Sequence, residues 1–104
     1  MKINILGENW KIVFKPNIYH EGKEVAGLCI FNKRRLEVAC AYPEESIKSE
    51  VIKQISESYW HEILHAVFYE DAMRDQAWWS EDIEHQIIAP IAKVMAKNFP
   101  VMPN

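Results

Sequence analysis

A chain of 104 residues has material for one hydrophobic core and not for two, so a single domain spanning residues 1–104 is expected. Its residues are 49% hydrophobic and 26% charged, a globular rather than a disordered balance. The formal net charge is -3 and the one basic cluster, Lys33-Arg34-Arg35, lies between two apolar runs, which argues against a nucleic-acid-binding face.

No stretch of about 18 apolar residues is present to span a membrane. The opening MKINILGENWKIVFK lacks the apolar segment and small-residue cleavage site of a signal peptide, so a cytoplasmic protein is expected. Cys29 and Cys40 make neither a disulfide framework nor a CxxC metal site and read as two small apolar residues.

In chain order, Lys2 to Leu6 alternates weakly, Gly7-Glu8-Asn9 supplies a turn, and Trp10, Ile12 and Phe14 then alternate with polar or outward positions. This predicts a half-buried β-hairpin. Pro16 to Val25 has no period and reads as a loop. A second hairpin follows, Leu28–Phe31 and Leu36–Ala41, around the basic turn. With Cys29 and Phe31 facing inward alongside Leu36, Val38 and Cys40, opposing position numbers sum to an odd value and the connection holds an even number of residues; Cys29 is then expected opposite Cys40 or Val38.

Pro43 followed by Glu44 and Glu45 suits the start of a helix. Ile47, Val51, Ile55, Tyr59, Ile63 and Ala66 recur at helical spacing and predict one long amphipathic helix to about Tyr69. Asp71 to Trp79 breaks the pattern. Ser80 then offers an N-cap, and Ile83, Ile87, Ile91, Val94 and Met95 give a second helical stripe ending near Asn98, with Pro90 expected to kink it. The tail FPVMPN reads as extended. The predicted fold is α+β, a small antiparallel sheet of two hairpins packed on a long site-bearing helix and a second C-terminal helix.

The long helix carries His61-Glu62-Ile63-Leu64-His65. Histidines four apart stand one turn above each other, so both reach a single metal ion, and imidazole suits zinc. Glu62 is rotated about 100° from His61, away from the ligand position, where it can take a proton from an activated water. A catalytic zinc site takes three protein ligands. Asp71 lacks the preceding glycine that would turn the chain back to the site, since Phe68 stands there. Glu81, Glu84 and His85 lie at the start of the next helix, and among them Glu84 sits with Ile87, Ile88, Ile91 and Met95, where a carboxylate needs a compensating partner. Glu84 is the preferred third ligand, with Glu81, His85 and Asp71 as alternatives.

With ILGENWKIVF, GLCIFNKRRLEV, WHEILHAVFYE and EDIEHQIIAPIAKVM in that order, the chain resembles the small phage- and prophage-type zincin-like metallopeptidases, and more distantly the IrrE/ImmA-type peptidases. The resemblance implies Zn2+ held by His61, His65 and Glu84, Glu62 as catalytic base, and hydrolysis of a peptide or protein substrate. The alternative is a catalytically inactive scaffold of this kind in which a structural zinc serves a protein-binding module. The substrate and the oligomeric state are left open by the sequence.

Overall fold

In the computed structural model, which describes residues 1–102, six strands precede two helices. Four of the strands form one sheet in the order β1 (Lys2–Ile5), β2 (Glu8–Lys15), β6 (Arg35–Ala39), β5 (Gly27–Ile30). The α+β class is as expected, but the sheet is mixed: β2 runs parallel to β6, with Ile12 beside Leu36 and Phe14 beside Val38, while its two outer pairs are antiparallel. Two local hairpins are thus joined side by side through their second strands.

The first hairpin turns on Leu6-Gly7, both at positive φ, rather than on Gly7-Glu8-Asn9. Two consecutive left-handed residues match the twist of a tight hairpin, and the Asn4 side chain accepts a hydrogen bond from the Gly7 N–H at 3.0 Å. Glu21-Gly22 repeats this device inside the segment read as a loop. It joins β3 (Ile18–His20) to β4 (Lys23–Val25) in a separate two-stranded sheet. This hairpin has no apolar alternation to betray it, since only Ile18 of its six paired residues is buried.

In the second hairpin Cys29 lies opposite Leu36, neither Cys40 nor Val38, and both thiols are free. The expected odd sum holds, at 65 for every pair, but Arg34 in the left-handed conformation closes a connection of four residues, Phe31 to Arg34, and sets the register away from a thiol pair.

Helix α1 spans Lys48–Glu70, five residues later than the proline predicts. Pro43 to Ser46 makes a single turn, the Ser46 N–H donating to the Pro43 carbonyl, and Ile47 is extended, so helical geometry starts only beyond it. From there the expected face is the buried one. Ile55, Tyr59, Ile63 and Ala66 join Ile5, Trp10, Ile12, Leu36 and Val38 in the core between α1 and the sheet. The end of α1 is tied down by Glu70, which accepts from both Nε and Nη2 of Arg34 and from the Trp10 indole N–H.

Helix α2 spans Glu81–Asn98, with the Ser80 hydroxyl capping the Ile83 N–H as expected, and helical structure continues through Pro90. Its inward face differs from the expected stripe. Glu84, Ile88, Ala92 and Ala96 are buried, and Ile83, Ile87, Ile91 and Val94 are exposed. Two alanines on the inner face let α2 lie close along α1, which small side chains permit and a row of isoleucines would prevent. The tail then folds back on α1: the buried Ser56 hydroxyl accepts from the Val101 N–H at 2.7 Å, and the Trp60 indole donates to the Phe99 carbonyl. Pro103 and Asn104, also expected to be extended, lie outside the described residues. No helix among the described residues is long and apolar enough to cross a membrane.

Candidate metal centre

Packing α2 against the last turns of α1 brings three histidines together. His61 and His65 stand one turn apart on α1, and His85 faces them from the first turns of α2. One ring nitrogen from each lies within 4.8 Å of the others, a group able to hold a metal ion.

Ring orientation is fixed from outside the cluster. The Nδ1 of His85 meets the Glu81 carbonyl at 2.8 Å, and a carbonyl only accepts, so Nδ1 carries the proton and Nε2 keeps its lone pair. His65 is held likewise, its Nδ1 hydrogen-bonded to the Glu84 carboxylate, and its Nε2 is 3.1 Å from the Nε2 of His61. Tetrahedral coordination at the usual metal–nitrogen distance puts neighbouring ligands about 3.4 Å apart, close to the separation of the His61 and His65 nitrogens, with that of His85 within 4.8 Å of both. Burial lowers the pKa of His61, to about 4, and that of His65, with the neighbouring imidazoles adding to the effect on His61. Neutral imidazole is the form that binds a metal.

Glu84 is fully buried, as expected. Its oxygens receive three further hydrogen bonds, two from the Arg74 guanidinium at 3.0 and 2.9 Å and one from the Trp79 indole at 2.8 Å. Burial alone would raise its pKa. The donors from Arg74, Trp79 and His65 outweigh that and hold it as a carboxylate, down to about 2. Arg74 is itself braced 4.1 Å over the Phe31 ring and 5.1 Å from that of Trp79. A metal ligand oriented by an ionised carboxylate on its second nitrogen is a recurring feature of metal sites.

Glu62 lines the same cleft, buried, with its carboxyl against Gly27 of the edge strand β5. A Cβ placed on Gly27 would come within 2.7 Å of Oε2 and 2.9 Å of Cγ, so glycine is needed there for Glu62 to sit where it does. Desolvation pushes the Glu62 pKa up to about 8. Glu62, the three histidines, His20, Cys29 and Arg74 all line one cleft of about 350 Å³. Glu81 is exposed at the cleft margin, and Asp71 is an exposed helix C-cap outside the cluster.

Comparison with family models, curated proteins and solved structures gives no match. The assembled group also differs in spacing and composition from the family pattern inferred from sequence. It is three histidines, 61, 65 and 85, where that pattern requires two histidines completed by a downstream glutamate. The resemblance to zincin-like metallopeptidases is therefore corrected to a narrower statement: the protein has a His-rich cluster capable of binding a metal ion.

The residues missed by sequence reasoning are those that support the cluster. Arg74 sits in the aperiodic segment between the helices, where nothing but its being a lone cation marks it. Trp79 ends the same aperiodic segment, and its donation to Glu84 has no sequence signature. Gly27 is one of only three glycines, and its scarcity was the signal available.

Proposed function

We propose that the protein binds a divalent transition-metal ion, Zn2+ by the nature of the donors, through His61, His65 and His85. The ion fastens α2 to α1 and so sets the surface of a protein-binding module. The observation that carries this reading is the convergence of three imidazole nitrogens, two of them with the other ring nitrogen already engaged by protein groups. Of the residues expected from sequence, His61 and His65 enter as ligands. Glu84 enters as the carboxylate that orients His65, because its oxygens are taken up by Arg74, Trp79 and His65.

A cross-link between two helices stabilises the native state by mass action, since a preformed site is absent from the unfolded chain. Thermal unfolding with and without Zn2+ tests this. The midpoint is expected to rise with metal in the wild-type protein and to be unaffected in His61→Ala/His85→Ala; equal shifts in both proteins would contradict it.

One observation favours a second reading, a hydrolase acting on peptide bonds. Glu62 shares the cleft with the cluster, with its buried carboxyl on the cleft wall beside strand β5, where burial raises its pKa in the metal-free protein. A bound divalent ion would supply Lewis acidity, and Glu62 would take up a proton and pass it to a leaving amine. Zinc-loaded protein incubated with an unfolded protein substrate distinguishes the two. Cleavage lost in Glu62→Gln, with metal content unchanged, supports the hydrolase; no cleavage at full metal occupancy supports the binding module.

A further inference from the structure

The outer face of α2 carries an apolar row from Ile83 to Val94. Ile83 and Ile87 are each 37% exposed, Ile91 43% and Val94 61%, and the four follow one another at steps of four, four and three residues. Such a row on a helix of 18 residues, on the side away from the buried Glu84, Ile88, Ala92 and Ala96, is left partly open to solvent by the described chain. Lone exposed apolar residues are ordinary, whereas a continuous stripe marks an interface.

The charges beside the stripe indicate what covers it. At 100° per residue, Asp82, Gln86, Lys93 and Lys97 all fall along one flank of the row, acidic at the start of the helix and basic at its end. We infer that the stripe pairs with the same stripe of a second copy, the two α2 helices running antiparallel about a two-fold axis near position 89. In that arrangement Ile83 meets Val94 of the second copy and Ile87 meets Ile91 of the second copy. Position sums of 177 and 178 for these pairs are nearly equal, as a two-fold requires. The flanks match at the same centre: Asp82 faces Lys97 and Gln86 faces Lys93 of the second copy, with sums of 179 for both. An antiparallel helix pair brings like flanks together, so a row that is acidic at one end and basic at the other is complementary to itself.

His85 lies about 200° around the helix from Ile83, so this pairing leaves the histidine cleft free, and the inference is independent of the metal reading.

The mass of the full chain in solution tests it, measured by light scattering on a sizing column and by sedimentation equilibrium over a range of concentrations. The expected species is a dimer of about 24 kDa, twice the 12.2 kDa chain mass. Ile87→Glu and Ile91→Glu are expected to give monomers whose circular dichroism and cooperative melting are retained. Lys97→Asp alone is expected to weaken the dimer, and Asp82→Lys/Lys97→Asp to restore it, which a merely apolar or misfolded association would not do. Overturning results are a wild-type monomer at 100 μM, a dimer that survives Ile87→Glu, or a mass that climbs past two copies with concentration.

Discussion

Glu84 accepts a hydrogen bond from His65 Nδ1 on the neighbouring helix, and the other nitrogen of that ring is thereby turned to within 3.1 Å of His61 Nε2. One buried carboxylate thus couples the packing of α2 to the geometry of the histidine cluster. It is held ionised by Arg74, which reaches it from the short 3₁₀ turn between the helices.

Loss of that support should appear in metal affinity. Glu84→Gln and Arg74→Ala are expected to weaken Zn2+ binding about 10–100-fold by competition with a chromogenic chelator, the range typical for outer partners of metal ligands. Arg74→Lys is expected to recover only part of the loss, because a lysine cannot reproduce the two-pronged contact.

Gly27→Ala should act on Glu62 rather than on the strand. The added methyl group would meet the Glu62 side chain at 2.7–2.9 Å, and forcing them apart is expected to cost about 1–3 kcal/mol of stability in denaturant unfolding. Gly27→Ala combined with Glu62→Ala is expected to regain most of that loss, since the colliding atoms are gone.

Stability of the metal-free protein should carry opposite pH dependences from two carboxylates, beside the rise with pH toward the ordinary imidazole value of 6.5 that the burial-lowered His61 and His65 contribute, so the fall due to Glu62 stands clear above that value. Glu62 has a folded pKa of about 8, above its ordinary 4.5, so the native state holds a proton that the unfolded chain has released, and stability falls as pH rises between those values. Glu84 is shifted the other way, to about 2, so its contribution is present above the ordinary carboxylate range and is lost as pH falls toward 2. Glu62→Gln is expected to flatten the first slope, and Glu84→Gln the second, in urea unfolding followed across pH.

Ile12→Ala and Val38→Ala test the central layer of the sheet. Both side chains are buried at 1% exposure or less in the parallel β2–β6 pair against α1. Truncation is expected to cost about 2–5 kcal/mol for Ile12 and somewhat less for the smaller Val38.

How much of this was legible in the sequence follows from which interactions are local. The β1–β2 and β5–β6 hairpins, the inward row of α1 and the Ser80 cap depend on residues near one another in the chain, and alternation or helical spacing revealed them. The parallel β2–β6 pairing is a long-range choice with no local signature. For α2 the rule that the apolar stripe faces inward failed, because Ala92 and Ala96, with Ile88, form the inner face against α1 while Ile83, Ile87 and Ile91 remain outside. The histidine pair on α1 was visible from its spacing. The third histidine depended on how α2 sits, and so did the partners of Glu84, two of which, Arg74 and Trp79, come from a segment without any period.

Metal binding by the histidine cluster is tested most directly by titrating the metal-free chain, untagged, with Co2+ and following the ligand-field absorption bands. One Co2+ per chain with tetrahedral band intensity is expected, displaced stoichiometrically by Zn2+, and the spectrum should be lost in His61→Ala and in His85→Ala. Absence of a stoichiometric spectrum, or a spectrum unchanged in His85→Ala, would contradict the three-histidine centre.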